Sequence, residues 1–140
     1  PKNTTLTNLQ VNITTAGTGN LSMALYDSDN VGNPNDLLSN STVTIDASST
    51  GYYTSTMASS QNLSGLTLYY IAITMSANSC QVRSHPSAGG GGSPTAPISG
   101  LDSFNEPLLF DSTTTTLPSS VTPSQLSTKY GLCPLIGGGF

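Results

Sequence analysis

Within residues 7–14 polar and apolar side chains alternate, which places Leu9, Val11 and Ile13 on one side. A repeat of two belongs to a β-strand with one buried face, not to a helix with its 3.6-residue repeat. The pattern returns in residues 21–26, where Leu21, Met23 and Leu25 share a face, and again in residues 42–45. Turn formers separate these blocks. Residues 16–20 are expected to join the first two blocks as a hairpin. Residues 27–36 read as a long loop whose Asp and Asn side chains bond nearby backbone amides. Leu37 and Leu38 then return to the core. After a turn at 46–51 comes a β-rich block at 52–57, then a turn at 62–65. Residues 66–75 are the most apolar stretch; they lack amphipathic helical spacing and read as a central strand. Residues 80–83 fit one more strand.

Composition limits what such strands can serve. Of 140 residues, 42 are Ser or Thr, whereas only 7% are charged, against roughly 25% in an average soluble protein. Hydroxyls therefore stand where charges usually make the soluble surface. Low charge with much Ser, Thr, Gly and Pro also fits a disordered chain, but here the apolar residues recur in blocks. A chain of this length buries about two thirds of its unfolded surface. Three Lys and Arg in a chain of net charge −4 cannot neutralise a phosphate backbone, so nucleic acid is excluded as a partner. No apolar run approaches the ~20 residues that cross a bilayer. No Lys- or Arg-headed apolar segment of the signal-peptide type opens the chain, which starts at Pro1 without Met; a leader removed or left out would account for that start.

Short strands every ~8 to 12 residues predict an all-β, antiparallel β-sandwich. About eight strands would make it jelly-roll-like. An immunoglobulin-like sandwich is the runner-up; against it, no Trp lies between the two cysteines, and both come late in the chain. Residues 1–140 read as a single domain. Residues 84–97, with Gly89–Gly92 and three prolines, read as a mobile loop, and residues 131–140 as a Gly-rich tail. Phe104, Leu108, Leu109 and Phe110 form a second apolar cluster between them.

The run Tyr26-Asp27-Ser28-Asp29, Gly32-Asn33-Pro34 and Leu37-Leu38, followed by Asp46, Thr50-Gly51, Leu63-Ser64-Gly65 and Tyr69-Tyr70-Ile71-Ala72, resembles the jelly-roll domains of bacteriophage tail-fibre and head-fibre proteins. The resemblance covers about half of the chain. Asn35 stands where such modules place Gly, and the oligoglycine insert is a further departure. The resemblance implies a non-enzymatic virion protein, a homotrimer, that decorates a particle or touches a host surface. Its partners would be other virion proteins or a host surface glycan.

The candidate sites each carry a plainer alternative. Residues 27–32 begin like a calcium loop, with oxygens at the first and third positions and Gly at the sixth. Val31 and Leu38 occupy two positions that should supply ligands, so a hydrogen-bonded turn is the better reading. Asp27, Asp29 and Asp36 remain the calcium candidates. His85 is the only histidine and precedes Pro86 in the loop, a poor setting for an oriented catalytic base. Two cysteines and one histidine, far apart in sequence, do not make a zinc site, and no cofactor is expected. Cys80 and Cys133 permit one disulfide, contributing about 3 to 4 kcal/mol by closing a ~50-residue loop; two free buried thiols are the alternative. Asn3, Asn12, Asn20, Asn40 and Asn62 head glycosylation-type triplets, of which about three or four arise by chance at this composition.

Tyrosines are the candidates for ligand contact, since each offers a flat face for a sugar ring and a hydroxyl. Strand neighbours alternate, so one of Tyr52 and Tyr53 is expected to face the core and the other outward; the same holds for Tyr69 and Tyr70. Tyr130 is a third ligand candidate. The alternative is that outward rings pack against a neighbouring subunit. Leu135, Ile136 and Phe140 on the tail are candidates for contact between subunits. Glu106 is the only Glu, and glycan cleavage, which needs a pair of acids, is the least favoured class.

Overall fold

The computed structural model describes residues 2–76, 79–86, 108–109, 116–122, 127–128, 132–134 and 136–139. They form two antiparallel sheets stacked as a β-sandwich. In the first sheet the central strand is β1 (Thr4–Thr15), and in the second it is β2 (Asn20–Ser28). The second sheet adds β3 (Pro34–Leu37) and β4 (Val43–Asp46) along one side of β2. The first sheet places β5 (Gly51–Leu63) along one side of β1, with Val11 opposite Tyr53 and Asn12 opposite Tyr52. β6 (Tyr70–Met75) returns to the second sheet on the other side of β2. β7 (Gln81–Val82) pairs with Ile13 and Thr15 on the free side of β1. β8 (Ser84–Pro86), β9 (Leu108–Leu109), β10 (Ser127–Thr128) and β11 (Leu132–Pro134) make two small ladders, β8 with β11 and β9 with β10. β12 (Ile136–Gly139) completes the first sheet beside residues 8–11.

The core lies between the layers. Leu9, Val11 and Ile13 of β1 meet Leu21, Met23 and Leu25 of β2, with Val43, Ile45, Ala47 and Met57 around them, all buried. The alternation read from the sequence thus holds in both strands. Leu6 is buried too, although it lies three residues before Leu9. A register shift between Leu6 and Asn8 accounts for this: Leu6 faces Gln61, whereas Asn8 faces Thr56. The extra β5 residues, Ala58, Ser59 and Ser60, bulge into solvent.

β2 is buried on both faces. Its outward side chains Ala24 and Tyr26 pack with Val121, Leu37, Tyr70, Ala72 and Leu117 in a second cluster. Residues 116–122 form a strap across this face. Leu37 N–H donates to Ser119 O at 2.9 Å, and Val121 N–H donates to Asn35 O at 2.8 Å. The Tyr26 hydroxyl donates to Pro118 O.

Several expectations are corrected. The loop expected over 27–36 is shorter, since β2 runs to Ser28 and β3 starts at Pro34. Residues 16–20 do not close a hairpin, because β1 and β2 belong to different layers. The connection bonds instead to Ala47: Gly17 N–H donates to Ala47 O, and Ala47 N–H donates to Gly19 O. Gly19, at φ 111°, and Gly51, at φ 142°, take backbone conformations that suit glycine where the chain changes layers. The strand expected over 66–75 starts only at Tyr70. Thr67 N–H turns back to Ser64 O, and Leu66 and Leu68 are exposed. The glycines at 137–139 are part of a strand rather than a loose tail. Of the loop expected at 84–97, residues 84–86 form β8, and the others lie outside the described residues.

One buried polar side chain completes the second sheet. Between the β4 and β3 ladders, Leu25 has no strand residue opposite it. Ser41 Oγ, fully buried, accepts from Leu25 N–H at 3.1 Å and donates to Leu25 O at 3.3 Å. Ser41→Ala is expected to lower stability by about 1–3 kcal/mol, the cost of stranding a buried N–H. Chemical denaturation with an unchanged slope and a lower midpoint is the check.

Candidate functional site

The loop after β2 is held by its own carboxylates. Asp29 Oδ1 accepts from Val31 N–H at 2.9 Å and Asn33 N–H at 2.8 Å, and Oδ2 accepts from Asn33 Nδ2 at 3.1 Å. Asp27 Oδ1 accepts from the backbone N–H of Asp36 at 2.8 Å. This is the hydrogen-bonded turn read from the sequence. Among the described residues no three His, Cys, Asp or Glu side chains gather as a metal site. Donation from the Asn33 backbone, then its side chain, holds the Asp29 carboxyl below the usual carboxylate range. A depressed folded-state pKa gives stability that is present above the unfolded value of about 3.9 and lost as pH falls through the folded one. NMR titration is expected to give Asp29 a midpoint below ~3.9, and loss of loop order on acidification should follow that midpoint.

Tyr52 and Tyr53 alternate as expected, whereas Tyr69 and Tyr70 are both half-buried and Tyr69 precedes β6. Tyr52 is 79% exposed. Tyr53 packs against the core and donates to Ser49 O at 2.9 Å, so it leaves the set of ligand candidates. Tyr70 packs in the second cluster, and its hydroxyl donates to Gly32 O. Burial, then the nearby Asp29 charge, pushes the Tyr70 hydroxyl pKa up. The Tyr69 hydroxyl accepts from Ser64 N–H at 3.1 Å.

Around Tyr52 the register assembles an outward surface on the first sheet. Tyr52, Asn12 and Arg83 form one row across β5, β1 and the end of β7, with Arg83 N–H donating to Asn12 O at 2.8 Å. The next row is Thr54, Gln10 and Gly137, and the next Thr56, Asn8 and Gly139. Gln10 and Asn12 supply amides, Thr54 and Thr56 hydroxyls and Arg83 an exposed guanidinium, whereas the Asn8 amide oxygen is buried; no carboxylate stands among the three rows. Sequence reasoning had singled out Tyr52 alone. The signal for the others lay in the polar half of the β1 alternation, Asn8, Gln10 and Asn12, and in Gln81-Val82-Arg83 as a strand.

A second surface lies at one end of the sandwich. Tyr26 pairs with Tyr70, so the loop leaving β2 and the turn entering β6 emerge together, joined by the Tyr70 bond to Gly32. Val31 (82% exposed), Leu66 (86%), Leu68 and Ile71 crown this end; Tyr52 is the one other large apolar side chain exposed among the described residues. The turn beneath them is tied to the start of the chain, with Gly65 N–H donating to Asn3 Oδ1 at 3.1 Å.

Comparison of the chain with family models, curated proteins and solved structures found no match. The two surfaces therefore stand on their own chemistry.

The other candidates fall elsewhere. Ile136 lies in β12 opposite Val11, so this residue of the subunit-contact set is part of the first sheet. Leu135, Phe140 and Tyr130 lie outside the described residues. Cys80 is a free thiol packed against the core, and burial raises its pKa. The β8–β11 register puts Cys133 opposite His85. No helix among the described residues is long and apolar enough to cross a membrane.

Proposed function

We propose that the chain is a non-enzymatic structural module of a virus particle, a jelly-roll-type fibre or decoration domain that works by presenting surface. The observation that carries this reading is the apolar crown of Val31, Leu66, Leu68 and Ile71. Exposed apolar groups gathered in one place mark contact sites for other proteins. Here Val31, Leu66 and Leu68 sit on turns held by Asp29, Asn3 and Tyr70, and Ile71 sits on β6, so binding would order little additional chain. The hydroxyl-rich exterior and the resemblance of residues 21–72 to phage fibre domains agree with it. The homotrimer such domains form gives the test. Sedimentation of the chain is expected to give a trimer, and Leu66→Ser with Leu68→Ser is expected to shift it toward a monomer that keeps its β-sheet circular dichroism. A strict monomer at all concentrations would count against the reading.

The Tyr52 face favours a second reading, a carbohydrate-binding module that recognises a cell-surface glycan. An exposed ring beside planar amides provides stacking and paired hydrogen bonds, the two contacts a sugar offers. Tyr52→Ala is expected to leave the melting temperature within about 2 °C, since the ring buries little, and to abolish glycan-array binding.

A further inference from the structure

We propose that the outer face of the first sheet binds a glycan bearing a carboxylate, with Arg83 holding that carboxylate and Tyr52 stacking on a neighbouring sugar ring. The inference rests on the carbohydrate-binding reading of this face and names its ligand class.

Charge supplies the argument. The chain carries net −4 and only three cationic side chains, Lys2, Arg83 and Lys129. Among the described residues, Arg83 stands on the face that displays an exposed aromatic ring among amides. Val82 packs into the core, so its neighbour Arg83 projects outward, and it is exposed. The aligned positions on this face contain no carboxylate that would compete for the guanidinium. A guanidinium binds a carboxylate through two parallel N–H bonds, which a neutral sugar hydroxyl cannot match.

Geometry supplies the length. Tyr52 and Arg83 lie on strands flanking β1, two strand spacings or roughly 10 Å apart. A ring on Tyr52 and a carboxylate at Arg83 therefore belong to one extended ligand rather than one compact ion. Between them Asn12 offers a donor and an acceptor in the same row, and Gln10 does so in the next. Gly137 and Gly139 lie opposite Gln10 and Asn8 on the next strand.

The test uses the whole chain on an array of sialylated, uronic-acid and neutral glycans, followed by calorimetry with the best binder and its neutral analogue. Acidic glycans are expected to bind and the neutral analogue to bind at least ten-fold more weakly. Arg83→Gln is expected to weaken the acidic glycan about ten- to hundred-fold while leaving neutral analogues unchanged. Tyr52→Ala is expected to weaken both. Rising salt is expected to weaken the acidic glycan only. Neutral glycans binding as well as acidic ones, with Tyr52 still required, would overturn the carboxylate assignment and leave the carbohydrate reading standing. Acidic glycans binding equally to the Arg83→Gln and Tyr52→Ala variants would overturn the assignment of this face. Binding of no glycan at all would overturn both.

Discussion

Tyr26→Ala is expected to lower stability by about 3–5 kcal/mol, the range for deleting a buried aromatic ring. Tyr26 is 1% exposed and lies between β2 and the strap at 116–122. Its loss leaves a cavity lined by Ala24, Val121, Leu37, Tyr70 and Leu117, and it strands the Pro118 carbonyl. Because the strap is held by this ring and by backbone bonds at Leu37 and Val121, amide exchange at Leu37 and Val121 is expected to accelerate more than exchange in β1. Tyr26→Phe separates the two contributions. It keeps the ring and removes only the hydrogen bond, at about 1 kcal/mol. Urea denaturation measures both variants, and a Tyr26→Ala cost below ~1 kcal/mol would mean that the strap does not cover this face.

Leu9→Ala is expected to cost about 2–5 kcal/mol, and Gln10→Ala less than about 0.5 kcal/mol. The two residues are neighbours on β1 with opposite fates, Leu9 fully buried between the layers and Gln10 exposed. A slip of one residue would exchange them, so the contrast tests register as well as burial. It also separates fold from surface: Gln10 belongs to the proposed glycan face, and its replacement is expected to alter binding without unfolding the chain.

Which residues face inward was legible because period-two alternation records it directly. Leu9, Val11 and Ile13, then Leu21, Met23 and Leu25, then the outward Tyr52 and inward Tyr53 all follow from it. Which strand lies beside which was not legible. Two alternating blocks joined by five turn formers look alike whether they pair in one sheet or cross between two. The difference rests on Gly17 and Gly19 bonding to Ala47, about thirty residues away in sequence. The strap was not legible because a proline, here Pro118, interrupts the pattern of a strand. Proline lacks only the N–H, however, and its carbonyl is the group that meets Tyr26. Leu66 and Leu68 misled in the opposite sense, since apolar residues at an exposed turn imitate the start of a core strand. Arg83 could not be placed beside Tyr52 from sequence, because the two are neighbours only through Asn12 on the strand between them.

That three-strand row at Asn12 is the feature on which both the sandwich and its proposed glycan face depend, and cross-strand NMR contacts test it most directly. Backbone NOEs are expected from Asn12 to Tyr52 on one side and to Arg83 on the other, with Leu21 contacting Ile45 and Met75 in the other layer. A continuous ladder of NOEs between residues 9–13 and 21–25 would contradict the account, because it would put β1 and β2 in one sheet and dissolve the face that carries Tyr52 and Arg83.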